Sequence, residues 1–306
     1  MGGAVRPGSR RVDGIKDEIT KQMEVALYYE LIVAEASRVP EHLDALDYVL
    51  RGRAAQFKPI DRDNYAEAIG LLERALALDP HSADAQGWLA DKLVGRALDE
   101  MTDTAAADIS RAAELAAQAL AGSSRSAFAH SAQGQALRAQ GRYKEAIAEY
   151  ETASAINPGW PHLYGFLSSC KLWTGSIADT IPLVEQAIQI SPRDPHVADW
   201  YSQIGRVHLL LSRTNDAIVW LERARSVNPQ FPIVHAMLAS AYALNGEIER
   251  GAAELAEAQR LSLGGRYYSL ARLRAAHRDY WGVPKIRALF EATHFAGLLK
   301  AGMPDH

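Results

Sequence analysis

A single cysteine, Cys170, stands in the whole chain. It can form no intramolecular disulfide and build no cysteine-rich zinc site, which points to a reducing compartment. Long apolar runs are missing as well. Nowhere do the ~18 consecutive apolar residues of a membrane-spanning helix occur, so no membrane partner is expected. The opening residues Met1-Gly2-Gly3-Ala4-Val5-Arg6-Pro7 lack the apolar core of a secretory signal, and Arg6 stands where a myristoylation signal wants Ser or Thr. Arg10-Arg11 is not followed by the apolar stretch of a twin-arginine signal. A cytoplasmic location is therefore expected. There is no surplus of basic charge: the net charge is −4. A nucleic-acid footprint needs a basic stripe, so no nucleic-acid partner is expected. Runs of alternating β-branched residues are also scarce, which argues against strands.

What the chain does hold in quantity is alanine, in runs such as Ala105-Ala106-Ala107 and Ala116-Ala117. Alanine is the best helix former and small enough for helices to approach closely, so the chain reads as all-helical. One signature recurs: a small residue, Ala seven positions later, and Pro five after that. It stands at Ala68, Ala75, Pro80, at Ala146, Ala153, Pro158 and at Ala217, Ala224, Pro229, with Thr180, Ala187, Pro192 as a variant. Ala112, Ala119, Ser124 loses the proline, and Gly251, Ala258, Leu263 is the weakest copy. The second alanines are 44, 34, 34, 37 and 34 residues apart. A large residue follows the first small one by four: Leu72, Tyr150, Val184, Leu221 and Leu255, with Ala116 as the exception. Residues three and four apart share a helix face, so each second helix carries a stripe of small, large, small. Leucine at Ala153 or Ala224 should overpack its helix pair, lowering stability by ~1–3 kcal/mol; an unchanged thermal melt would mean that the helix register is wrong.

A 34-residue period with this chemistry is that of the tetratricopeptide repeat (TPR). First helices resemble TPR first helices at Tyr164-Gly165-Phe166-Leu167, Tyr201-Ser202-Gln203-Ile204-Gly205 and His235, Leu238, Ala239. Gly141-Arg142-Tyr143-Lys144-Glu145-Ala146 and Leu244-Asn245-Gly246-Glu247 resemble TPR turns, where Gly and Asn suit the left-handed residue that ends a helix. The expected fold class is all-α, a TPR helical-hairpin solenoid forming a right-handed superhelix. Expected boundaries are a disordered N-terminus at 1–11, an amphipathic helix and linker at 12–43, six repeats at 44–263, and capping helices with a tail at 264–306. Loop insertions are expected near 58–63 and 99–108. The N-terminal helix carries Ile15, Ile19, Met23, Leu27 and Leu31 at four-residue spacing, a stripe expected to be buried.

The ends of the chain add a second resemblance. Asp44-Ala45-Leu46-Asp47-Tyr48-Val49-Leu50-Arg51-Gly52 resembles the entry to the repeats in bacterial class III adenylate/guanylate cyclases with C-terminal TPR arrays, and Lys16-Asp17-Glu18-Ile19-Thr20 resembles the end of the α/β domain that precedes the repeats there. The run Ile286-Arg287-Ala288-Leu289-Phe290-Glu291-Ala292-Thr293 and the Gly297–Pro304 segment are similar to their closing helix. The resemblance implies a cyclase domain upstream. The eleven residues before Val12 hold none, so the chain is expected to be the repeat half without the catalytic half, with a cyclase as a possible partner.

Chemistry-bearing motifs are scarce. His277-Arg278-Asp279 copies the start of a kinase catalytic loop but lacks its partners. Asp99, Glu100, Asp103 and Asp108 lack the order of a calcium loop and are expected in a solvated loop with a helix N-cap. The ten histidines form no His-x-x-x-His pair, and no phosphate loop occurs. Cys170 reads as a buried, inert thiol. No catalytic residue, metal or cofactor is expected, and recognition remains. What the TPR resemblance implies is a ligand groove lined by first-helix positions. Those positions give Phe128, Gln135 and Arg138 from one repeat and His162, Ser169 and Trp173 from the next, then Arg206, followed by Ile233 and Ser240. The lysine and asparagines of chaperone-binding TPRs are absent there, so no carboxylate clamp is expected. A protein or peptide ligand fits this lining, an apolar peptide or helix above all, with Arg206, Trp173 and Phe128 as anchors. Burial of Trp173 and Phe128 in the core is the competing expectation.

Overall fold

The structure, a computed structural model, describes residues 23, 27, 30–37, 43–55, 58, 62–99, 101–262, 265–276 and 282–306. The expected disordered stretch 1–11, the 16–20 motif, Ile15, Ile19, Glu100, Leu263, the 59–61 part of the first insertion and His277-Arg278-Asp279 lie outside the described residues. Among the described residues every regular element is a helix. They divide into two compact units, residues 1–163 with 186–192 and residues 164–185 with 193–306.

The first unit pairs α1 (Ala45–Ala54) with α2 (Arg62–Leu78), α3 (Ala83–Leu98) with α4 (Ala105–Gly122), and α5 (Ala127–Ala139) with α6 (Tyr143–Ile156). Short polar side chains start the first helices by accepting otherwise unpaired amides. Asp44 and Asp47 form a reciprocal capping box at α1, and the Ser82 and Ser126 hydroxyls accept from Ala85 and Ala129 at α3 and α5. The small-large-small stripe is the core. Ala68, Leu72, Ala75, Ala112, Ala116, Ala119, Ala146, Tyr150 and Ala153 are all buried. Gly134 on α5 lets the Tyr150 ring in: a Cβ on that glycine would stand 2.6 Å from the ring.

Helices α7 (Pro161–Trp173) and α8 (Ile177–Ile190) are each divided between the units. The second unit continues with α9 (Val197–Leu210) on α10 (Thr214–Val227) and α11 (Pro232–Leu244) on α12 (Ile248–Leu261). After α7 and α11 the chain turns through Gly175 and Gly246, both at positive φ, and the next amides bond back to the helix ends: Ser176 to Lys171 and Glu247 to Tyr242, each 2.8 Å. The same stripe fills this unit: Ala217, Leu221, Ala224, then Gly251, Leu255, Ala258. A histidine–glutamate stitch joins a hairpin in each unit. His130 meets Glu149 and His235 meets Glu254, both at 2.6 Å, and each ring's other nitrogen reaches a carbonyl of the preceding turn.

Three expectations change. The extra length of the repeat holding 99–108 lengthens its helices rather than only its loop: α3 and α4 run 16 and 18 residues, against 13 and 14 in α5 and α6, and the turn between them is short. Of the described acids of 99–108 only Asp103 is exposed in the turn, as expected. Asp108 lies inside α4, buried, and takes a two-pronged bond from Arg96 at 2.7 and 2.8 Å, while Asp99 accepts from the Tyr65 hydroxyl at 2.6 Å. The N-cap is Thr104, without a side-chain bond. Along the N-terminal stripe, Met23, Leu27 and Leu31 are exposed and Ile32 is buried. Adjacent residues lie about 100° apart around a helix, so Ile32 faces a different side from Leu31.

Candidate functional site

In the first unit the first helices α1, α3 and α5 stand in sequence, with α3 packed on both others. An aromatic ladder crosses them. The Trp88 ring of α3 stacks on Phe128 of α5, centroids 4.4 Å apart, and Phe128 meets Trp160 at 5.8 Å. Gly87 makes room for the stack, since a Cβ there would lie 2.7 Å from the Phe128 ring. The Arg53 guanidinium and the Lys92 ammonium sit 5.0 and 5.5 Å from the Trp88 centroid, a favourable arrangement of cation and ring face. Trp88 is nearly covered, while Phe128 and Trp160 remain half-buried. Beside the ladder lies a polar group. Gln135 is buried, accepts from Arg138 Nε at 2.9 Å and from the Tyr150 hydroxyl at 3.0 Å, and donates to Asp91 at 3.4 Å. Of the expected residues, Phe128, Gln135, Arg138 and His162 belong to this unit, and the first three adjoin this ladder and polar group.

The remaining expected residues, Ser169, Trp173, Arg206, Ile233 and Ser240, belong to the second unit, where the first-helix face is already covered. A short helix α13 (Leu270–Ala276) precedes a longer helical segment made of α14 (Pro284–Phe290), a π-turn (Glu291–Phe295) and α15 (Ala296–Lys300). The expected role for residues 264–306 was a cap on the last repeat. The short turn Arg266–Tyr268 packs on α12 of that repeat, and α14, the π-turn and α15 lie across first helices. Phe290 stacks on Trp173, centroids 5.7 Å apart, the π-turn packs on α9 and α11, and α15 packs on α11. Trp173 and Ser240 are consequently buried rather than open to a partner, at 2% and 0% exposure. Arg206 lies 5.8 Å from the Trp173 centroid, and Ile233 and Ser169 stay half-buried.

The electrostatics follow from this cover. His294 is buried against Ser240, whose hydroxyl lies 2.8 Å from the ring Nδ1 and 2.9 Å from the His294 carbonyl. Burial, and secondarily the Arg206 charge, push the His294 imidazole down to about 3, so it is neutral at pH 7. Cys170 is buried. Among the described residues no group of three or more His, Cys, Asp or Glu side chains is placed to hold a metal ion, and no helix is long and apolar enough to cross a membrane.

Tetratricopeptide-repeat profiles match residues 127–160 and 60–97. No curated protein sequence matches the chain. Among solved structures, PilF of Pseudomonas aeruginosa is similar over 76% of this chain and 96% of its own, with TM-score 0.53 and 21% identity. The human IFIT1 dimer with m7Gppp-AAAA is similar over 86% of this chain and 60% of its own, with TM-score 0.61 and 15% identity. Cut9–Hcn1, a hetero-tetramer of the APC/C, is similar over 81% of this chain and 45% of its own, with TM-score 0.59 and 15% identity. At these identities the likeness is one of fold. The chain carries tetratricopeptide repeats, and its fold class is all-α, built from their helical hairpins. Repeats of this kind support a role as a protein-interaction scaffold.

Proposed function

We propose that the chain is a non-catalytic scaffold that holds a protein or peptide partner on the first-helix face of its first unit, with Phe128, Trp160 and Arg138 as anchors. The observation that carries this reading is the ladder of Trp88, Phe128 and Trp160, half-covered and flanked by the Gln135–Arg138–Asp91 group. Aromatic rings and arginine are the side chains most often found at binding hot spots. A protein ligand is favoured over nucleic acid because the cations here are partnered: Lys92 lies 3.2 Å from Asp91, and Arg138 is engaged with Gln135. A scaffold is favoured over an enzyme because His130, His235 and Asp108 are spent on stitches between helices. A location in the cytoplasm suits the lone cysteine.

The test is a photo-cross-linking amino acid in place of Phe128, with a control at Glu114 on the exposed side of α4. A specific polypeptide should be captured from native lysate at Phe128 and not at Glu114. Arg138→Glu should weaken capture about tenfold or more, while the lost bond to Gln135 lowers stability by only ~1 kcal/mol. Equal capture at both positions, or capture abolished by nuclease, would defeat the reading. Recovery of a nucleotide cyclase would favour the second reading, in which the chain is the regulatory half of a cyclic-nucleotide system, as the flanks at 44–52 and 286–304 suggest.

A further inference from the structure

Segment 282–306 is fastened to the second unit like a ligand in a groove. It enters through Gly282, at φ +69, where a Cβ would stand 2.6 Å from the Trp173 carbonyl oxygen. That carbonyl accepts from the Val283 amide at 2.9 Å. Phe290 then covers the Trp173 ring, and the helix widens into the π-turn, where Thr293 bonds back to the Leu289 carbonyl at 2.7 Å. The widening brings both the ring and the carbonyl of His294 onto the Ser240 hydroxyl. One turn on, Gly297 touches the α11 backbone itself: a Cβ there would be 2.6 Å from Ser240 Cα. The tail returns to α13, where the amides of Leu270 and Ala271 donate to the carbonyls of Pro304 and Asp305.

The surface under this segment is not the end of a stack. Trp173, Arg206 and Ser240 come from three successive first helices and occupy the positions that line the concave ligand surface in repeats of this type. The segment is itself amphipathic. Ile286, Phe290, Phe295 and Leu298 are buried, and Arg287, Glu291 and Lys300 face solvent. A helix laying its apolar face into a groove is a standard mode of peptide recognition. A polar pair at the centre, here Ser240 with His294, fixes register in a way that a purely apolar contact does not.

We propose that the first-helix face of the second unit is a helix-binding site held in a self-occupied state. The chain's own segment 282–306 is its resident ligand. A partner helix presenting the pattern of Phe290, Phe295 and Gly297, two aromatics and a small residue at closest approach, enters by displacing it. The site lies in the unit that the proposed scaffold function does not use, so failure here leaves the Phe128 cross-linking result standing.

The experiment uses the full chain and a fluorescent synthetic peptide of residues 282–306. Gly297→Leu and His294→Lys each disfavour the resident segment without touching the groove. Both variants should bind the peptide with 1:1 stoichiometry and at least about tenfold more tightly than the unmodified chain. Adding Ser240→Leu to Gly297→Leu should abolish that binding. The proposal is overturned if both variants fold but bind the peptide no better than the unmodified chain. It is equally overturned if both lose more helical signal than residues 284–300 account for, because the segment would then be core and not ligand.

Discussion

Acidification from pH 7 to pH 5 is expected to weaken the docking of residues 284–300 by about 25-fold, a loss of about 2 kcal/mol, while the α11–α12 hairpin beneath them holds. His294 sets the sign. Docked, it is buried against Ser240 with Arg206 nearby, and its pKa falls to about 3. Undocked, it titrates at its ordinary value of 6.5. Between these values the free segment takes up a proton and the docked one does not. Stability contributed by His294 is therefore complete above pH 6.5 and is lost as the pH falls toward 3. His235 runs the other way. Burial lowers its pKa, but the hydrogen bonds to Glu254 and the Pro229 carbonyl, with the charges of Glu254 and Glu257, outweigh that and raise it. Its contribution is fully present below 6.5 and is lost only as the pH rises through the raised value. His208 on α9 shifts downward, through burial first, and adds to the acid loss. A whole-protein melt mixes all three effects, so the check is segment-resolved hydrogen exchange corrected for intrinsic rate. Protection should drop at 284–300 ahead of 248–261, and His294→Gln should flatten the pH response at 284–300. Equal loss of protection in both stretches would mean that His294 does not control the docking.

Legibility from sequence differed by element for physical reasons. The second helices were readable because close packing admits few residue types: Ala146, Tyr150 and Ala153 recur in kind as Ala217, Leu221 and Ala224, and all six are buried. Phe128, Gln135 and Arg138 could be placed on α5 by the same register, since no insertion separates α5 from α6. Trp88, Asp91 and Lys92 were missed because the longer α3 and α4 break the 34-residue spacing. Their signal was nonetheless present in Leu89-Ala90, which copies the Leu238-Ala239 pair of α11. Burial of Trp173 was one of two expectations, but the cover over it and over Ser240 was beyond the repeat pattern, because it comes from a non-repeating segment. Contacts by Phe290, His294 and Gly297 leave no periodic trace. The lining suggested an external apolar peptide or helix; the structure places the chain's own residues 284–300 against Trp173 and Ser240. Asp108 departs from the solvated acids expected at 99–108 because composition alone does not distinguish a solvated carboxylate from one buried under Arg96.

Tyr150→Ala should be among the most damaging single changes in the first unit, lowering stability by ~3–5 kcal/mol as truncations of buried aromatic residues do. The ring is fully buried. It occupies the place held by leucine in α2 and α10, and Gly134 stands opposite with no Cβ to fill the void. The hydroxyl ties this packing to the candidate site by donating to Gln135. Tyr150→Phe isolates that bond. It should cost only ~1 kcal/mol, because Arg138 still donates to the Gln135 oxygen. The two variants thus separate the core from the site. In guanidinium melts, Tyr150→Ala should split the transition, since in a repeat array each hairpin depends on its neighbours and a weak one uncouples the sides it joins. Tyr150→Phe should keep a single transition. Partner capture through Phe128 should fall with Tyr150→Phe only as far as Gln135 turns away from Asp91 and Arg138. If Tyr150→Ala melts within 1 kcal/mol of the unmodified chain, the α5–α6 pair is not packed through this ring.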